Sequence, residues 1–488
     1  MSNLSELLPA GGAAKEFEVV ASGTLPNGKP VVLKSDGTVE VVNIATVAGG
    51  DGITAATPAV FESASVVDLS VAMLTSTKAI VVYTDVGNSY YGTTCVLTIS
   101  GTTITAGTPV VFDSAISYYN SVTMLSATKA LVVSAWSSGA LDYGHSHILD
   151  VSGSTITVGS TTTFNAASSS RLALTALTST KAIVVYRDGG NSNYGTARIL
   201  DVSSSTITAG TASVYESAGV EYNSVAMLTS TKAIVVYSDD GNSSYGTSCV
   251  LNVSGSTITA GTPVVFESAV TAESIVASLT STKAIVVYHD TGNSYYGTAS
   301  ILDVSGSSTI TAGTPVVFNS AGTWHPSVSM LTSTKAIVAY KDSGNSYYGT
   351  ASILDVSGAT ITAGPPEVFE TANTFFASVA TLESTRAIVV YKDSGNSSYG
   401  TSCILDNSAS ATNLTATNFA GTSTAAFTNG QTATIVPQGG VSTNQSSLTI
   451  GSTYYVQPAG TLATTAGDPS VVAGKAISTT SLILKGNS

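Results

Sequence analysis

LTSTKAIVVY, residues 74–83, decides the fold. It returns unchanged at 177–186, 228–237 and 279–288, and in variants at 125–134, 331–340 and 382–391. Its Lys stands at 78, 129, 181, 232, 283 and 335, and Arg386 takes the seventh place, so the step is 51 or 52 residues. Two further segments keep that step. Variants of ITAGTPVVF start at Ile53, Ile104, Ile156, Ile207, Ile258, Ile310 and Ile361. Variants of YGTASILDVSG start at Tyr91, Tyr143, Tyr194, Tyr245, Tyr296, Tyr348 and Tyr399. Self-similarity at a fixed period of this length marks a repeat architecture.

Each repeat reads as four strands. In the sixth they are SVSML (327–331), KAIVAY (335–340), YGTASILDVS (348–357) and ATITAGPPEVF (359–369). Gly, Ser, Asn and Asp fill the turns, as tight hairpins require. The run AIVVY is apolar throughout, which suits a strand covered on both faces. No helical period appears, so helical repeats are excluded. The expected fold is all-β: a seven-bladed β-propeller. A parallel β-helix is the weaker alternative, because its coils are shorter. ITAATPAVF (53–61) precedes the first complete set of strands, and the last set lacks a fourth. Residues 53–61 are therefore expected to close the seventh blade.

Composition agrees. Of 488 residues, 43% are hydrophobic, enough for a large core, and 10% are charged, against roughly 25% in an average chain. Long surface helices need more charge than that. A net charge of −13 leaves no basic surface for a phosphate backbone, so no nucleic-acid partner is expected. No apolar run reaches the ~18–20 residues of a membrane span, and no membrane insertion is expected. The N-terminus MSNLSELLPAGGAAKEFEVV lacks the basic start of a Sec-type signal peptide. Localisation to a virion or the extracellular space would then follow lysis or another route. Cys95, Cys249 and Cys403 share one repeat position with Ala197, Ala299 and Ala351, which marks a small buried slot and inert thiols.

Two segments escape the repeat. Residues 1–14 read as a flexible arm, 15–52 as a hairpin, 53–410 as the propeller and 411–488 as a C-terminal β domain. LTIGSTYYVQPAGTLATT (448–465) follows the plan of residues 25–42, so the flanks are expected to form one small β domain with the propeller inserted in it. The flanks SGTLPNGKPVVLKSDGTVEVV and GSTYYVQPAGTLATTAGDPSVVAGKAISTTSLILKG resemble segments of structural proteins of tailed bacteriophages, in tail fibres or other virion appendages. The resemblance covers about the outer quarter of the chain. It implies assembly and display, and it brings no catalytic residues.

Candidate chemistry is sparse. Asp85, Asp188, Asp239, Asp290, Asp342 and Asp393 each open a D-x-G-N loop. The Trp of a sialidase Asp-box is missing, and Arg171, Arg187, Arg198 and Arg386 occupy non-equivalent positions, so a sialidase is rejected. One carboxylate per loop is too few for Ca²⁺. These loops read as turns in which Asp bonds the backbone and Gly or Asn takes a positive φ. In repeat two, Asp142, His145 and His147 lie close together, and two imidazoles at i, i+2 could hold a metal. No third ligand is evident, and no metal or other cofactor is expected. The connectors between blades vary: SYYN (117–120), SSSR (168–171), VEYN (220–223), TAES (271–274), TWHP (323–326) and TFFA (374–377). Tyr118, Tyr119, Tyr222, Trp324, His325, Phe375 and Phe376 form a candidate ligand-binding face, since aromatics on a rigid scaffold suit sugars or proteins. Tyr90, Tyr295 and Tyr347 adjoin it; drift and local packing are the alternative reading.

The expected function is that of a non-enzymatic phage tail-fibre or appendage subunit with a propeller adhesion module. Its partners would be copies of itself, through the terminal segments, and a host-surface glycan or protein. One alternative is an extracellular filament subunit, in which arm 1–14 or TSLILKG (480–486) adds to a neighbour's sheet. Another is a soluble lectin-like propeller.

Overall fold

The computed structural model describes residues 16–42, 52–137, 139, 142–306, 308–407, 413–415, 417–457, 460–466 and 470–485. The chain divides into two compact units: Val47–Ser408, and the paired flanks Met1–Thr46 and Ala409–Ser488. The sequence boundaries at 52 and 410 fall within a few residues of this division. Arm 1–14 lies outside the described residues.

The first unit is one closed ring of antiparallel strands. Seven strands of 17 residues recur around it, from Ala59–Thr75 to Glu367–Glu383. The sequence reading divides each of them into an outer strand, a connector and an inner strand. The structure fuses the three. The first half of Val316–Thr332 pairs with the third strand of blade five (Thr298↔Val317). Its second half is the inner strand of blade six (Val328↔Val338). Blade six continues through Lys335–Asp342 and Tyr348–Ser357 (Val338↔Ser352) to the short outer strand Thr360–Ala363. The pattern runs seven times and closes where expected. Tyr399–Asp406 pairs with Thr54–Ala55 and with the start of Ala59–Thr75 (Asp406↔Thr54, Thr401↔Val60). The Asn407 amide also donates to the Gly52 carbonyl at 3.1 Å, so the ring's first and last residues are bonded to each other.

The core sits between successive sheets. Ala, Ile, Val and Val of each AIVVY run are fully buried, as is its Tyr. That Tyr packs on an aromatic of the preceding outer strand, as in Phe61–Tyr83 at 5.4 Å and Phe266–Tyr288 at 5.4 Å between ring centroids. Its hydroxyl donates to a carboxylate on the same outer strand: Tyr83 to Glu62 at 2.9 Å, and Tyr237 to Glu216, Tyr288 to Glu267 and Tyr391 to Glu370 at 3.0 Å. Each bond ties one blade to the next. On the innermost strands a second set of bonds does the same, with Ser hydroxyls accepting backbone N–H groups of the neighbouring blade (Ser70 from Val122, Ser224 from Val276, Ser327 from Val379).

The D-x-G-N loops are turns, with one correction. Asp239 caps a short 3-10 turn, its carboxylate accepting the Gly241 N–H at 2.9 Å. The positive φ falls on the two residues after Asn, such as Ser243 (57°) and Ser244 (56°), rather than on Gly or Asn. Gly241 is needed for space, because a Cβ there would stand 2.5 Å from the Ala218 Cβ.

The three cysteines are buried and unpaired. Burial, with the nearby Glu62, pushes the Cys95 thiol up to about 12. Cys249 is also pushed up to about 12, again mainly by burial. A thiol so protonated is unreactive. The native protein is expected to show no reaction with a disulfide reagent over hours, and all three thiols should react once it is denatured. Rapid labelling of the native form would contradict the buried slot.

The flank unit holds two five-stranded sheets. One runs Phe17–Val20, Thr432–Pro437, Phe419–Ser423, Pro30–Leu33, Val39–Val41, so the two ends of the chain share it. The other runs Val441–Ser442, Leu482–Leu484, Val471–Ala476, Thr453–Val456, Leu462–Ala463. Val32, Phe419, Val456, Val471 and Leu482 join both sheets in one core. Within 480–485, Leu482–Leu484 is paired on both sides inside the chain. Among the described residues no helix is long and apolar enough to cross a membrane.

Candidate ligand pocket at the centre of the propeller

Each inner strand carries a bulge, and the bulge builds the site. Pairing with the second strand skips two residues in every blade, for example between Glu221 and Ser224 or between Trp324 and Ser327. An extra residue in one strand re-aims a side chain. The first skipped residue always has a left-handed backbone: Asp68 (φ 51°), Tyr119 (53°), Arg171 (54°), Tyr222 (54°), Glu273 (51°), His325 (51°) and Phe376 (53°). None is glycine, although the conformation costs roughly 1–2 kcal/mol for a residue with a Cβ. Seven-fold repetition at non-glycine residues is a cost held in place by the surrounding sheets.

All seven side chains line one cavity of about 290 Å³. The second skipped residue of every blade, from Leu69 to Ala377, also lines it, with Asn120, Asn223 and Ser274 as the polar ones. The polar groups are bonded to one another around the ring. The Asp68 carboxylate accepts the Tyr119 N–H at 3.1 Å, and burial raises its pKa above the usual carboxylate value. The Arg171 Nε donates to Glu221, which Arg187 also engages. The Arg171 guanidinium lies 4.9 Å from the Tyr222 ring centroid and 5.6 Å from that of Tyr119, within cation–π range. Burial opposes its charge, but Glu221 and the tyrosines hold it above the ordinary arginine value. Glu273 faces His325, with Oε1 3.3 Å from Nδ1, and also accepts the His325 N–H. Burial outweighs Glu273 and lowers the His325 pKa, so the imidazole is neutral at pH 7.

The candidate face is therefore corrected. Tyr119, Tyr222, His325 and Phe376 line the cavity, half-buried inside continuous strands rather than exposed on connecting loops. Tyr118, Trp324 and Phe375, each one residue earlier, do not line it. Trp324 packs edge-on against His289 at 4.3 Å, and Phe375 lies under the Lys341 ammonium at 3.6 Å. Tyr90, Tyr295 and Tyr347, in the D-x-G-N turns, are the exposed aromatics.

No family model matches the chain, and no curated protein matches it. Among solved structures the chain is similar to a protein of unknown function from Dyadobacter fermentans, at 12% identity and a TM-score of 0.48, over 73% of this chain and 99% of that one. It is also similar to the NanB sialidase of Streptococcus pneumoniae, at 9% identity and a TM-score of 0.42, over 73% of this chain and 70% of that one.

Arg171 and Glu273 stand in the variable connectors SSSR and TAES, but aromatic content alone marks neither them nor Asp68 as pocket residues. The signal was in the register. Positions 68, 119, 171, 222, 273, 325 and 376 step by 51 or 52, and their residues differ while the strands beside them barely change.

Proposed function

We propose that the propeller is a non-enzymatic adhesion module that binds a carbohydrate in its central pocket, displayed on a virion appendage such as a tail fibre. One observation carries the binding reading. Seven repeats that are otherwise nearly alike place six different kinds of side chain at the left-handed position that lines the cavity, each in a strained conformation. A position that only packed would repeat with its neighbours. Aromatic faces beside arginine and carboxylate groups suit the apolar ring face and the hydroxyls of a sugar. The volume lies at the lower end of ligand pockets, room for about one terminal sugar. Both ring carboxylates are occupied, Glu273 by His325 and Asp68 by the Tyr119 amide, which favours binding over hydrolysis. The flanking segments that resemble phage structural proteins support the setting.

Replacing Tyr222 with Gly tests the reading. Glycine takes φ 54° freely and loses only a half-buried ring, so stability should stay within about 1 kcal/mol of the parent. Binding on a glycan array should fall at least tenfold. Unchanged binding would refute the pocket, and turnover of chromogenic glycosides by the parent would refute the non-enzymatic reading.

A further inference from the structure

Blade two departs from the repeat at three positions, Ser134, His145 and His147, which the fold brings to Asp113 of blade one. Where other blades bury a Tyr opposite a Thr (Tyr83↔Thr93), blade two has Ser134↔His145. Where they place Cys or Ala (Val81↔Cys95), it has Val132↔His147. The carboxylate that would accept the tyrosine hydroxyl is Asp113, on the outer strand of blade one, in register with Gly92. Loss of the Tyr ring leaves room that the His147 ring enters, 5.6 Å from Phe112.

The result is two imidazoles and a carboxylate around one point. His145 Nδ1 is 3.5 Å and His147 Nε2 is 3.6 Å from Asp113 Oδ2, and all three atoms lie within 4.8 Å of one another. The His147 and Asp113 side chains are only 2% and 9% exposed. Yet none of these three buried atoms has a hydrogen-bond partner. Unpaired buried polar atoms are costly and call for an explanation. Both separations are too long for hydrogen bonds. They match the ~3.3–3.6 Å between donor atoms around a tetrahedral ion with bonds of about 2.0–2.2 Å. The surroundings fit as well. Thr161 Oγ1 is 3.4 Å from His147 Nδ1, the outer-shell bond that leaves Nε2 free to ligate. Trp136 stacks on His145 at 5.1 Å and 9°, fixing its ring plane.

We infer that Asp113, His145 and His147 form a binding site for a divalent transition-metal ion, of which zinc is the best match to an N₂O donor set. The site joins blade one to blade two where four other junctions use a carboxylate–tyrosine bond, so the ion acts as a staple between sheets. Asp142, the carboxylate that sequence proximity suggests, is not a member; Asp113 is the third ligand the sequence did not reveal.

The chain itself supplies substitutions that should preserve the fold. His147→Ala and His145→Thr install what other repeats carry, and Asp113→Asn copies Asn165 and Asn319. Full-length, tag-free protein is stripped with a chelator and titrated with Zn²⁺, with stoichiometry by elemental analysis and melting by calorimetry. The parent is expected to bind one equivalent with a dissociation constant below about 1 μM and to melt several degrees higher with zinc. Each variant should bind at least 100-fold more weakly and lose the zinc-dependent shift. Absence of stoichiometric binding by the parent, or variants that bind as well as it does, would overturn the site.

Discussion

Deletion of residues 53–61 is expected to destroy cooperative unfolding of the propeller. This stretch supplies the outer pairing of the last blade, which no other part of the ring can replace. Ile53 is buried among Ala387, Cys403 and Leu405, and Phe61 covers Tyr83. At roughly 1.5–3 kcal/mol for each large buried side chain, those two residues alone contribute several kcal/mol. The backbone bond from the Ala56 N–H to the Ile404 carbonyl and the bond from the Ser402 hydroxyl to the Ala59 carbonyl are lost with them. A domain of typical stability, about 5–15 kcal/mol, has little left after such a loss. The bared third strand of blade seven is a free edge, which invites aggregation. Calorimetry should show a broad or absent transition, and size-exclusion chromatography should show aggregates. A soluble deletion variant with the parent's melting temperature would contradict the closure.

The tyrosine between blades should show the next largest effect. Tyr237 is fully buried, so Tyr237→Ala opens a cavity between sheets and should cost about 3–5 kcal/mol. Tyr237→Phe keeps the packing and loses only the bond to Glu216, about 1 kcal/mol. The smaller loss should depend on pH. Burial, and after it Asp239, already raise the Glu216 pKa, and the Tyr237 hydroxyl opposes them by bonding the charged form. Removing the hydroxyl raises the folded-state pKa further and leaves the unfolded value alone. The variant's deficit is therefore full at neutral pH, where the carboxylate is ionised. It fades as pH falls through the raised folded-state values, which lie above the unfolded one, because Glu216 is then protonated in both folded proteins. Urea titrations at pH 7 and pH 4 would measure it; a deficit that grows on acidification would contradict the assignment.

The ring was legible because its signals are local and repeated. A 51-residue step, β-branched runs and turn residues define four strands per unit, and the missing fourth strand of the last repeat points to residues 53–61. The continuity of Val316–Thr332 was not legible, since TWHP carries a proline and looks like a loop. Pairing on both of its halves overrides that preference. The pocket was half visible: the connectors were singled out, but chemistry such as that of Arg171 and Glu273 emerges only when equivalent residues converge on one axis. Asp113 lay further out of reach. It belongs to another blade, paired there with Gly92, and only the packing of one sheet on the next brings its side chain to His145 and His147.

The bond between Asn407 and Gly52 has a consequence for the order of folding. The flank sheet joins Lys29 to Ser423, residues 394 apart, and an unfolded chain pays for closing a loop of that length. Once the ring has closed, its two ends are held together, and the loop that remains is about 40 residues of flank sequence. Closure entropy grows only as the logarithm of length, so the saving is on the order of 2 kcal/mol, yet all of it falls on the flank unit. The closed propeller thus acts as a clasp for the domain that it interrupts, and loop entropy favours forming the split sheet after the ring.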